Sequence, residues 1–117
     1  MIFSFDINKM QLKENPTLSD LQIYIKKIGE ERSWDKNNPL EIFLLFSEET
    51  GELAKAIRNK IGLYAEEAKS QNNIELEGEF ADVLNYLLDL ANCFNIDLEK
   101  AFRKKDEENS KRIWKIK

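Results

Sequence analysis

The segment at about residues 74–94 constrains the fold more than any other. There Phe80, Ala81, Val83, Leu84, Tyr86, Leu87, Leu88, Leu90, Ala91 and Phe94 surround a narrow polar stripe of Glu79, Asp82, Asn85, Asp89 and Asn92. Polar residues spaced by three and four fall on one line only in a helix. An apolar surface this wide implies a helix buried on several sides, so the remainder of the chain must supply elements that cover it.

Those elements can be read in order. Residues 1–15 mix Phe3, Phe5, Ile7, Met10 and Leu12 with polar residues and show no helical period, which reads as an N-terminal arm packed on a body formed by residues 16–117. Pro16 and Thr17 open a helix running to about Arg32, with Thr17 or Ser19 as N-cap and with Leu21, Tyr24, Ile25 and Ile28 on one face. Asp35 to Asn38 form a polar break, and Asn38-Pro39 starts a second helix of about 39–60, since proline suits the first helical position. Its residues Leu40, Ile42, Phe43, Leu44, Leu45 and Phe46 cover more than one face, and Gly62 is a natural stop. Residues 62–73 read as a connection in which Tyr64 to Lys69 have the composition for one helical turn. Asp97 caps a fourth helix of about 98–112. With no strand pattern alternating with the helices, the expected fold is an all-α four-helix bundle.

A chain of 117 residues with 42% hydrophobic content suits one domain, small enough to gain from association. The apolar excess on the second and third helices predicts a homo-oligomer, dimer or tetramer, whose neighbouring subunits complete each other's pockets. A net charge of −4 without a long Lys/Arg run argues against nucleic acid as a partner. Cys93 has no second cysteine to pair with and sits among apolar residues, which reads as a buried thiol in a reducing compartment. No run approaches the ~18 apolar residues of a membrane span, and Asp6 interrupts the place of a signal-peptide core. A soluble, cytoplasmic protein without a membrane partner is the expectation.

The chain has no histidine, so carboxylates must serve as acid, base or metal ligand. They are concentrated at Glu48, Glu49 and Glu52, answered on the third helix by Glu79 and Asp82. Like charges at helical spacings of three and four cost roughly 0.2–0.5 kcal/mol per pair, and Gly51 in the same helix costs about 1 kcal/mol relative to alanine. A divalent cation would compensate. Mg2+ takes oxygen ligands and binds through few carboxylates plus substrate phosphates, a demand that Glu49, Glu52, Glu79 and Asp82 suit. Gly51 and Gly78 beside them permit close backbone approach. On the residues alone, a helical assembly or regulatory module with a solvated acidic face stays open beside the metal reading.

Glu31-Arg32-Ser33-Trp34, the run Phe46 to Lys55 and the run Glu79 to Leu87 together resemble the MazG-type all-α nucleoside triphosphate pyrophosphohydrolases. The family pattern, Glu-Glu-x-x-Glu followed by Glu-x-x-Asp, falls on Glu48, Glu49, Glu52, Glu79 and Asp82, and the resemblance covers roughly residues 18–113. It implies Mg2+-dependent hydrolysis, with Mn2+ as a substitute, of a nucleoside triphosphate to monophosphate and pyrophosphate. It further implies Glu49, Glu52, Glu79 and Asp82 as metal ligands and Glu48 as the group that orients or deprotonates water. Trp34 resembles the aromatic that stacks on the base. Arg32 either assists in the pocket or caps the first helix, and Tyr86 is either a sugar or base contact or a core residue. Lys105, Asn109 and Arg112 resemble the C-terminal residues that reach the phosphates. The chain departs from the pattern in carrying Ile113-Trp114 where an Arg-Tyr pair is usual.

Overall fold

The structure, a computed structural model, describes residues 11–33, 38–64 and 73–113. Among these the secondary structure is helical: α1 (Leu18–Glu31), α2 (Pro39–Ile61), α3 (Asn73–Cys93) and α4 (Leu98–Ser110). The all-α, four-helix fold expected from the sequence is the fold observed. The anticipated arm lies outside the described residues, apart from residues 11–15, which lead into α1.

α1, α2 and α4 each begin where a side chain satisfies the first free amides. The Thr17 hydroxyl accepts from the Asp20 amide at 3.0 Å, and the Asp20 carboxylate accepts from the Thr17 amide at 3.0 Å, a reciprocal capping box. Lys13 adds an ion pair to Asp20 at 3.1 Å. Ser19, the other expected cap, instead donates to the Asp97 carboxylate at 3.3 Å and ties the start of α1 to the start of α4. Asn38 accepts from the Glu41 amide at 2.9 Å ahead of Pro39, and Asp97 accepts from the Lys100 amide at 3.1 Å. Gly62, at φ 80°, ends α2 in the left-handed region that a side chain would disfavour. The Arg58 guanidinium then donates to the carbonyls of Leu63 and Tyr64.

α2 and α3 form the principal pair, α1 packs on α3, and α4 makes its main contact with α1. Glu49 approaches Glu79 and Asp82, while Ile42 borders a cleft with Asp89 and Cys93, so α2 and α3 run antiparallel. The core is small, formed by Ile28, Ile42, Ala56, Leu88 and Ala91. It is finished by a polar lock centred on the buried Gln22. The Gln22 amide donates to Asn92 Oδ1 at 3.1 Å and to the Ile96 carbonyl at 2.7 Å. Its oxygen accepts from the Leu98 amide at 2.7 Å, and Asn92 donates back to the Gln22 carbonyl at 2.9 Å. One side chain thereby fixes α1, the end of α3 and the start of α4, with Asn95 at φ 55° making the turn between the last two.

Three expectations are corrected. α3 is not covered on several sides, because Phe80, Leu84, Leu87 and Phe94 are exposed. The Cys93 thiol is exposed rather than buried, since it lies in the last turn of that partly covered helix. A Cβ on Gly51 or Gly78 would meet nothing within 4 Å, so neither glycine permits a close approach within the chain. The common cause is that, among the described residues, only one side of the α2/α3 pair is covered. Accessible surface is 9713 Å², against about 6600 Å² for a compact monomer of this mass. The radius of gyration is 17.9 Å, against about 13 Å for a compact chain of this length. No helix among the described residues is long and apolar enough to cross a membrane.

Candidate metal and nucleotide site

Glu49 lies near the middle of α2, and Glu79 and Asp82 lie one turn apart on α3. The antiparallel pairing brings one carboxylate oxygen of each within 4.8 Å of the others. Burial pushes the Glu49 carboxyl above its ordinary range, reinforced by the charges of Asp82 and Glu79, a hydrogen bond to Glu79 and the charge of Glu48. Glu79 Oε2 is enclosed and has no hydrogen-bond partner. An orphaned buried oxygen is costly, and here it sits among like-charged neighbours. Hard oxygen donors crowded without a counter-charge are the donor set that Mg2+ or Mn2+ binds. The residues present fit the cation.

Two of these acids, Glu49 and Asp82, border a cavity of about 440 Å³, in the size range of small-ligand sites. α1 and its C-cap contribute Ile25, Ile28, Gly29 and Arg32; α2 contributes Leu45 and Glu49; α3 contributes Asp82, Asn85, Tyr86 and Asp89. Carboxylates thus stand at one part of the cavity and apolar side chains of α1 and α2 form its walls. The Tyr86 hydroxyl is pushed above its ordinary range, first by burial and then by Glu49, Asp82, Glu48 and Asp89. That order of influence also puts Glu48 within electrostatic reach of the cavity, although its side chain is exposed.

The residues singled out from the sequence divide into three groups. Glu49, Glu79, Asp82, Tyr86 and Arg32 meet at the cluster and cavity. Glu52 is exposed and outside the three-oxygen group, and Glu48 flanks that group. Lys105, Asn109 and Arg112 are exposed on and just beyond α4, which makes its main contact with α1, and they do not line the cavity within one chain. Lys105 pairs instead with Glu108 at 3.6 Å. Trp34 lies outside the described residues. Sequence reasoning missed Asp89 and the apolar wall of Ile25, Ile28, Gly29 and Leu45. Asp89 carried a signal all the same, since it follows Asp82 by two helical turns on the same face.

A family model for the MazG nucleotide pyrophosphohydrolase domain matches residues 37–113. The chain is 30% identical over 101 residues to the uncharacterized protein YvdC of Bacillus subtilis (strain 168), covering 82% of this chain and 95% of that protein. It is 31% identical over 85 residues to YpjD of the same organism, covering 73% and 76% respectively. Its fold is similar to the crystal structure of the "putative pyrophosphatase YPJD" from Bacillus subtilis, with a TM-score of 0.72 and 29% identity over 86% of this chain and 100% of that one. Both acidic helices fall inside the matched span, which takes in most of the chain, and by that measure the protein belongs to the family of the MazG nucleotide pyrophosphohydrolase domain.

Proposed function

We propose that the protein hydrolyses a nucleoside triphosphate, standard or modified, between the α and β phosphates, releasing a monophosphate and pyrophosphate, as a housekeeping enzyme of the cytoplasmic nucleotide pool. The observation that carries this reading is the meeting of Glu49, Glu79 and Asp82, with the orphaned Glu79 oxygen, at a cavity large enough for a nucleoside. These carboxylates hold Mg2+, with Mn2+ as substitute, and Glu52, three residues beyond Glu49 on α2, joins them as a ligand. When bound, the cation neutralises phosphate charge and acidifies the attacking water. Glu48, flanking the cluster and exposed to solvent, is placed to orient that water and take its proton. Tyr86 and the walls from α1 hold the nucleoside, Trp34 stacks on the base, and Arg32 neutralises phosphate.

Among the described residues, Arg32 is the cationic side chain that lines the cavity. Leu40 and Leu44 on α2, at 81% and 71% exposure, and Phe80, Leu84 and Leu87 on α3 are exposed apolar residues suited to cover by another copy. A dimer or tetramer covers them, and Lys105, Asn109 and Arg112 of a neighbouring copy then supply donors to the phosphates.

The test is incubation of the purified protein with a panel of ribo- and deoxynucleoside triphosphates and Mg2+, with pyrophosphate and monophosphate measured together. Pyrophosphate in equal amount to monophosphate, lost in Glu52→Ala and Asp82→Ala, is expected. Silence across the panel, or orthophosphate as the product, would sink the proposal in favour of a helical assembly or regulatory module.

A further inference from the structure

The cavity does not end at its far wall. From the acids its lining steps along α3 through Asn85 and Tyr86 to Asp89. A second cleft of about 160 Å³ begins there, sharing Ile25, Gly29 and Asp89 with the first and adding Ile42, Lys26, Asn92 and Cys93. On α3 the lining thus moves from Asp82 to Cys93, eleven residues or about 16 Å of helix. On the antiparallel α2 it moves from Glu49 back to Ile42. The two volumes are successive parts of one groove between α1, α2 and α3.

Gly29 stands at the junction. With Ile25, Ile28 and Arg32 it belongs to the face of α1 that lines the cavity. The other positions of that face carry long or branched side chains, whereas Gly29, buried within α1, has none to stand between cavity and cleft. Glycine inside a helix is unfavourable relative to alanine, so its place here calls for a reason. The cleft beyond has the size of a single ring, since an apolar cavity of about 150 Å³ takes a benzene molecule. Ile25 and Ile42 give it apolar wall, and the Asn92 amide is already engaged with Gln22. Asp89 and Lys26 bring opposite charges to its lining, so it favours neither an anion nor a cation. An uncharged group about the size of one ring fits it.

Resting on the pyrophosphohydrolase reading, we propose that this cleft is a subsite for a substituent on the base, opened by Gly29, and that it serves nucleoside triphosphates whose base is enlarged at its distal edge by such a group. With the phosphates held at the acids, a nucleoside extends along the groove past Tyr86. The part of the base farthest from the sugar leads, position 6 of a purine or position 4 of a pyrimidine. A substituent there passes between Gly29 and Asp89 and lies against Ile25 and Ile42, leaving water for apolar wall. A nucleotide without the substituent leaves the cleft to solvent. Selection is by volume and burial and needs no hydrogen bond to the base.

The experiment compares ATP with N6-benzyl-ATP and CTP with N4-benzyl-CTP, pairs that differ by that group alone. Turnover is measured with Mg2+, and the α,β-imido forms are titrated by calorimetry with Mg2+. In at least one pair the wild-type protein is expected to favour the benzyl form by about tenfold in Kd and in kcat/KM, in keeping with burial of an aromatic ring. Gly29→Val puts a branched side chain at the junction, and Cys93→Phe fills the cleft from its exposed end. Each is expected to bring the ratio within about threefold or to reverse it. Disturbed packing of α1 on α3 would weaken both members of a pair alike and leave the ratio standing, which separates a specificity role for Gly29 from a structural one. If Gly29→Val does not fold, Cys93→Phe carries the test. A wild-type protein that favours the benzyl form in neither pair, or a ratio that survives either substitution in a folded protein, would overturn the assignment. If no triphosphate is cleaved, the activity reading fails, and the Kd ratios of the imido forms decide the subsite separately.

Discussion

At the scale of single residues, the acidic cluster is a set of charges held against their own repulsion. Glu79→Gln removes one charge and gives its orphaned position an amide, so in EDTA it should raise the melting temperature by a few degrees, about 1 kcal/mol for a chain of this size. Mg2+ should raise the wild-type melting temperature and leave that of Glu79→Gln nearly unchanged, as thermal scans with and without the ion will show. Asp20 behaves in the opposite sense. The Thr17 backbone amide, then Lys13, hold its carboxyl below the ordinary range. Its contribution to stability is therefore present above the unfolded pKa and is lost as pH falls through the depressed folded value. Asp20→Asn should lower the melting temperature at pH 7, and the difference from wild type should shrink as pH falls below the ordinary aspartate range. Asp89, pushed up by burial, has the reverse sign: folding is favoured as pH falls through its folded pKa. Asp89→Asn should accordingly stabilise the protein at pH 8 by more than at pH 5.

At the scale of elements, the helices and most of their ends were legible because the causes are local. Thr17, Asn38 and Asp97 each cap the amide three residues on, and Gly62 ends α2 by its left-handed backbone. Ser19 was not separable from Thr17 in sequence, since its partner Asp97 lies 78 residues away. The cluster was legible in the same way, from helical spacing plus the assumption that the two acidic helices pair. Spacing alone did not separate Glu49 from Glu52, because both suit a shared face until the packing of α2 on α3 decides which one points to Glu79. Gln22 gave no sign of its importance, for its four bonds join residues 22, 92, 96 and 98. Gln22→Ala should leave the Leu98 amide and the Ile96 carbonyl without partners and cost about 2–4 kcal/mol. A lowered midpoint in urea, with activity at saturating substrate retained well below it, is the expected result.

For the whole molecule, apolar patterning foretold burial but did not say by what. The same pattern is written whether a helix is covered by its own chain or by a copy, so Cys93 and the outer face of α3 were read as interior. In one chain they face outward. Sedimentation at micromolar concentration should give about 28 kDa or a multiple of it, twice the 13.8 kDa chain, and Leu44→Glu should shift the protein toward monomer and reduce turnover with it. The open ground above Gly51 on α2, beside exposed Ser47 and Ala54, has a consequence for how the protein is handled. If the face it belongs to is closed by another subunit, folding and association are one equilibrium, and the melting temperature climbs with protein concentration. An assay at nanomolar enzyme and a calorimeter cell at tens of micromolar would then sample different species, and dilution itself would act as an inhibitor.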